Sequence, residues 1–210
     1  MGIIYQGILG GFSGKVGPVV GANWKGIDYM RGYVIPSNPN TPDQQTQRSK
    51  FGAMSSIASG LLGDVIQPYW DPFAVQKSGF NVFVSDNIDT LDINNKVQTT
   101  LQMAKGSLSP IVLTGSTYDD STGAIEVTWS ANLGSNGENT DSIYCVIYDA
   151  TTSDPLYSEL LSETRNGAQL NDNIATGLDF NDMIVFMFPF RGTGEDFIVG
   201  DSDSQAMSEA

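Results

Sequence analysis

Residues 10–26, GGFSGKVGPVVGANWKG, hold glycines around a Gly14-Lys15 pair, the residue types that cradle a phosphate. A phosphate loop of the form G-x-x-x-x-G-K-[S/T] needs glycines so that backbone amides can close on the phosphates, a lysine to reach them and a hydroxyl to hold magnesium. Aligned on Gly14-Lys15, the first glycine position is Leu9 and the hydroxyl position is Val16, so two defining residues fail. Pro18 and the following VVGANW carry no helical pattern, and the helix amino terminus that would face the phosphate is missing as well. The acidic clusters Asp86/Asp89/Asp92, Asp119/Asp120/Glu126 and Asp201/Asp203 offer oxygens of the kind calcium takes. None follows the twelve-residue calcium-loop spacing with its closing glutamate, so they read as solvated turns.

Histidine is absent from all 210 residues, which excludes Ser-His-Asp and Cys-His nucleophiles and removes the commonest zinc ligand. The one cysteine, Cys145, lies in SIYCVIYDA, where alternation makes it a buried strand residue rather than a reactive thiol. The sequence therefore gives no positive support for an enzyme, a cofactor or a metal site.

Charge is divided unevenly. Residues 1–105 hold eight basic side chains against seven acidic ones, whereas residues 106–210 hold two basic, Arg165 and Arg191, against seventeen acidic. Nucleic acid is a poor partner for such a chain, since phosphate backbones need clustered Lys and Arg. The acidic half reads as a solubilising surface, or as one of two complementary ends that meet head to tail in an assembly. No apolar run approaches the 18 or so residues of a membrane span, and no signal-peptide pattern opens the chain, so no membrane partner is expected.

The scarcity of Lys, Glu and Arg beside plentiful Gly, Ser, Thr, Val and Ile favours strands over long helices. Residues 1–36 read as a glycine-rich β-arm of short strands, GIIYQGIL, KVGPVVGANW and IDYMRGYVI. Residues 37–105 form a proline-punctuated link, an amphipathic helix and a loop. Thr41-Pro42 supplies the cap and first position, and Phe51, Met54, Ile57, Ala58, Leu61, Leu62, Val65 and Ile66 make the apolar stripe, ending before Pro68. SGFNVFVSDNI is a short helix or strand. Residues 106–210 change to period two: PIVLTGSTYD, AIEVTWSA, SIYCVIYDA, LYSELLSE, AQLNDNIA, DMIVFMFPFRG and DFIVGDSDS are seven strands divided by turn signals. The fold expected is mainly β with one substantial helix, closing in an acidic immunoglobulin- or fibronectin-like β-sandwich.

Several of these motifs resemble a known group. GILGGFSGKVGPVVGANWKGIDYMR, NPNTPDQQTQRSKF, GFNVFVSDNI, GSLSP, IEVTWSAN and MIVFMFPF are together similar to a family of unknown function common in Bacteroidetes bacteria and their phages. The resemblance carries no catalytic residue to transfer, and its phage context implies a virion component, in the particle or an extracellular filament after synthesis in the cytoplasm.

A glycine-rich arm that cannot bury itself alone is completed by adding strands to another copy's sheet. The function expected is thus a self-assembling structural protein whose partners are other copies of itself and, in a virion, other virion proteins. The contact residues expected are Phe12, Val16, Val19, Val20, Trp24, Lys25, Tyr29, Arg31, Tyr33 and Arg48. The rival reading is a sandwich whose loops bind a glycan or cell surface through exposed aromatics such as Trp70, Tyr118 or Tyr157.

Overall fold

The computed structural model describes residues 3–4, 11–35, 37–38, 40–92, 94, 96–151, 155–167, 169–192 and 196–210. Contacts divide the chain into residues 1–41, the arm, and residues 42–210, the body. Strand accounts for 39% of residues and helix for 23%, so the protein is mainly β.

The arm is a four-stranded antiparallel meander: β1 (Ile3–Ile4), β2 (Phe12–Val16), β3 (Val19–Trp24) and β4 (Ile27–Gly32), in that order. The segment KVGPVVGANW is two strands rather than one, because Gly17 takes a φ of +57° and Pro18 has no N–H for a ladder. The β3–β4 turn is left-handed at both central residues, Lys25 (φ 51°) and Gly26 (φ 83°), matching the right-handed twist of the strands it joins. Most of the expected GIIYQGIL strand, residues 5–9, lies outside the described residues.

In the body, helix is shared among α1 (Pro42–Gly60), α2 (Gln67–Tyr69) and α3 (Gly79–Asn87), so the single substantial helix is one modest helix of three. Helix does not end before Pro68. A π-helical turn at Leu62–Ile66 resets the hydrogen bonding, and Pro68 falls in the first turn of α2, where its missing N–H is not needed. Met54, Ile57, Ala58, Leu61, Val65 and Ile66 are buried, whereas Leu62, at the start of the π turn, and Phe51, earlier in α1, are turned to solvent. Ser78 caps α3 by accepting the Asn81 N–H at 3.3 Å.

All seven strands expected after residue 106 are present: β5 (Val112–Tyr118), β6 (Ala124–Ser130), β7 (Ser142–Asp149), β8 (Pro155–Thr164), β9 (Gln169–Asn173), β10 (Met183–Arg191) and a split last strand, β11 (Ile198–Val199) and β12 (Asp203–Ala206). A short β13 (Ser208–Glu209) follows. One sheet runs β13-β5-β6-β9; the other runs β11-β10-β7-β8, with β12 also on β10. The chain passes from the second sheet to the first between β12 and β13, where Met207 is buried among residues of both.

Parity along β7 and β10 explains the layering. Ile143, Cys145, Ile147, Met183, Val185 and Met187 pack on Ile125, Val127, Trp129 and Leu170 of the facing sheet. The alternate residues Tyr144, Val146, Tyr148, Ile184, Phe186 and Phe188 pack on the helices through Met54, Ile57, Leu61, Ile66 and Phe83. Both faces of this sheet are therefore dry, and residues 42–105 share a core with residues 106–210. Tyr69 sits at the centre of an aromatic group with Tyr144, Phe188 and Phe190 at 4.8–5.2 Å.

Asn87 ties α3 to the following loop from a fully buried position. Its Nδ2 donates to the carbonyls of Phe83 (3.1 Å) and Gln102 (3.0 Å), and its Oδ1 accepts the Gln102 N–H at 2.8 Å. Asn87→Ala strips all three bonds and strands the Gln102 groups, and is expected to cost about 1–3 kcal/mol in urea unfolding.

Candidate functional site

The arm makes a sheet without making a core. Among described residues 11–35 Gly21 alone is buried, beneath the Phe12 ring. Trp24 is 64% exposed, Ile27 65%, Tyr29 44% and Met30 71%. A sheet normally gains its stability from a covered apolar face, and both faces here stand open.

Register sorts the expected contact residues. Lys15 pairs with Val20, Val20 with Arg31, Ala22 with Tyr29 and Trp24 with Ile27, and cross-strand partners share a face. One face therefore gathers Val20, Trp24, Tyr29 and Arg31, with Tyr33 continuing it: the Tyr33 N–H donates to Pro18 O at 2.7 Å, and the Lys15 ammonium lies 3.6 Å from the Tyr33 ring centroid. Phe12, Val16 and Val19 occupy the opposite face. Lys25 is in the turn, its ammonium 5.0 Å from the Trp24 ring. Arg48 is an exposed residue of α1 in the body. The sequence list omitted Lys15, Ile27 and Met30, which become visible as face residues once the two-residue turns at Gly17-Pro18 and Lys25-Gly26 fix the parity.

The arm is also electrostatically distinct. Residues 1–41 carry Lys15, Lys25 and Arg31 against Asp28, while residues 42–210 carry seven basic against 23 acidic side chains. Asp28 is engaged within the arm, its carboxylate accepting the Asn23 Nδ2 at 2.7 Å.

Other candidates take structural roles. Gly14 lies inside β2 and, among the described residues, no helix follows it before α1, so the phosphate-loop geometry does not form. The acidic clusters hold backbone: Asp92 accepts the Lys96 N–H within a local turn, whereas Asp201 accepts the Gly106 N–H and Asp203, in β12, the Leu113 N–H across long sequence separations, so these two are tertiary ties rather than solvated turns. Asp119 accepts from the Ser121 and Thr122 hydroxyls and backbone, which holds its carboxyl down at about 2. Cys145 is fully buried, and burial pushes its thiol pKa far above the ordinary value. The aromatics proposed for glycan stacking offer no platform: Trp70 and Tyr118 are core residues, and the Tyr157 hydroxyl donates to Asp172 at 3.0 Å from a half-buried ring.

One constellation was invisible in the sequence. Arg165, from the turn signal RNG, is completely buried. Its Nε donates to Asp141 Oδ2 at 2.8 Å, its Nη2 to Ser109 O at 2.7 Å, and its Nη1 to Ala131 O (2.9 Å) and Asn132 O (3.1 Å). Arg191 donates to the other Asp141 oxygen and to Glu138. Burial alone would raise the Asp141 pKa, but the Arg191 hydrogen bond, the Glu138 N–H and the Arg165 charge outweigh it and hold the carboxyl below its usual range. Every oriented group here already has a protein partner, so the cluster is a clasp between loops.

The sequence matches the family of unknown function DUF6266 over residues 11–192, and the chain belongs to that family. No curated protein matches it. Among solved structures, a β-glucuronidase from Parabacteroides merdae, crystallised with glycerol in its active site, is similar at 11% identity with a TM-score of 0.27. That similarity covers 50% of this chain and 14% of the enzyme, and carries no argument about fold or activity. No helix among the described residues is long and apolar enough to cross a membrane.

Proposed function

We propose that this protein is a non-enzymatic structural subunit that assembles with copies of itself through the amino-terminal sheet, as part of a phage tail or appendage or a related filament. One observation supports the reading above others: a regular, well-turned four-stranded sheet whose large side chains, Trp24, Ile27, Tyr29, Met30 and Tyr33 among them, are exposed. Burying half a dozen such side chains is worth on the order of 10 kcal/mol, the scale of the freedom lost when two proteins associate. The virion context rests on the sequence resemblance, and without histidine the Ser-His-Asp and Cys-His nucleophiles are unavailable to this chain. We also read the sandwich as fibronectin-like, because its fourth strand, β8, pairs with β7, whereas the constant immunoglobulin arrangement sets the fourth strand beside the fifth.

The test is the mass and shape of the full chain. Light scattering on a concentration series is expected to show growth beyond a monomer, and electron microscopy rings, tubes or filaments. Trp24→Ser combined with Ile27→Ser is expected to shift that growth to higher concentration. A full chain that stays monomeric at the highest concentration it tolerates refutes the proposal.

A further inference from the structure

We infer that two copies join by pairing their β4 strands antiparallel about a two-fold axis, with Met30 opposite the partner's Met30, so that two four-stranded arms become one eight-stranded sheet. The inference rests on the self-assembly reading and names one of its contacts, the two-fold one that makes a dimer.

Strand β4 is an edge, bonded to β3 on one side only. In an antiparallel ladder residues alternate between bonding the neighbour and pointing away. The Tyr33 N–H goes to Pro18 O, so the odd positions 27, 29, 31 and 33 face β3, and Asp28, Met30 and Gly32 aim their N–H and C=O groups outward. All six residues of β4 are exposed. Edges are ordinarily protected by proline, bulges or charge; β4 has neither proline nor bulge, and its two charges, Asp28 and Arg31, are of opposite sign rather than a repelling like-charged row. The body's edge β8 shows the contrast: it begins at Pro155, shifts register twice against β7 and carries Glu159 and Glu163.

Complementarity fixes the register. With Met30 on the axis, Asp28 stands opposite the partner's Gly32, and the three outward residues of each strand exchange backbone bonds. Tyr29 then stands opposite the partner's Arg31, twice by symmetry, in the closer non-bonded positions where an aromatic ring and a guanidinium stack well. Ile27 meets the partner's Tyr33. A slip of one position about the axis toward Arg31 sets that cation against its own copy. A slip toward Asp28 leaves Gly32 unpaired. A change of parity would join unlike faces. Two bodies, each with seven basic against 23 acidic side chains, repel far more than two arms, each with three basic against one acidic, so arm-to-arm contact meets the smaller repulsion.

Cysteine cross-linking of the full chain reads the register. In Met30→Cys the two thiols lie on bonded positions with Cα atoms about 5.5 Å apart, inside the disulfide range. In Asp28→Cys they are four residues out of step, about 14 Å apart. Under mild oxidation Met30→Cys is expected to give a covalent dimer and Asp28→Cys to stay uncrosslinked, with buried Cys145 inert in both. Met30→Pro removes an outward N–H without touching the β3 ladder and is expected to abolish the dimer. Equal cross-linking of the two cysteine variants, or unchanged association of Met30→Pro, overturns the inference. A wild-type chain that assembles while Met30→Cys remains unlinked overturns the β4 contact alone; a wild-type chain that never assembles overturns the self-assembly reading as well.

Discussion

Replacing Arg165 with methionine is expected to destabilise the protein by about 3–5 kcal/mol, the usual cost of removing one partner from a buried ion pair. In a body of this size that corresponds to a fall of roughly 6–20 °C in the melting temperature, measurable by circular dichroism. The cost has two sources. Asp141 keeps its charge in a position with no solvent, now held by Arg191 and the Glu138 N–H, and the carbonyls of Ser109, Ala131 and Asn132 lose their donor. The double variant Arg165→Met with Asp141→Leu removes the stranded charge and is expected to recover part of the loss, whereas a purely packing defect would grow worse. The same clasp predicts a pH dependence. Because the Asp141 carboxyl titrates below its ordinary value in the folded chain, its contribution is complete above the ordinary carboxylate range and disappears as pH falls through the depressed one. Asp141→Asn is expected to be less stable at neutral pH and to lose less on acidification than the wild type; parallel melting curves for both are the measurement.

The contrast between Arg165 and the strands around it shows what the sequence makes legible. The seven strands after residue 106 could be read because each is a short run rich in strand formers and closed by turn residues, signals that are local. The third layer could not be read as directly, although a trace of it was there: IYCVIY and MIVFMFPF are continuous apolar runs rather than alternating ones, which is what a strand dry on both faces requires. The π turn before Pro68 has no local signal, since the apolar stripe continues through it and only packing shows that Leu62 has rotated out. Arg165 sits in a three-residue turn motif that normally faces water, and its burial depends on carbonyls supplied from residues 109 and 131–132, distant in sequence. In the arm the residue types of the candidate surface were readable and their division between faces was not. Parity across a hairpin depends on where the turn falls, and one glycine–proline pair inside an apparent strand changes it.

Deleting residues 1–41 is expected to leave a folded, monomeric body. Among the described residues both hydrophobic clusters of the body are filled by the body's own side chains, so the melting temperature of residues 42–210 should stay within a few degrees of the full chain in its monomeric form. Assembly, in contrast, should vanish, because the deletion removes both the exposed apolar face and the unprotected β4 edge while leaving a particle with seven basic and 23 acidic side chains, whose copies repel. Sedimentation velocity on the truncated and full chains side by side is the measurement, and a truncated body that still assembles would place the contacts elsewhere. Salt separates the two ways in which an arm can work. If a basic arm docks head to tail on a neighbour's acidic body, raising ionic strength from 0.01 to 1 M shortens the screening length from about 30 Å to about 3 Å and should dissolve the assembly of the full chain. If the arms pair strand to strand and bury Ile27, Met30 and Tyr33, screening removes little of the attraction and eases the repulsion between bodies. Association should then hold or strengthen with salt and fail in Met30→Pro at every ionic strength.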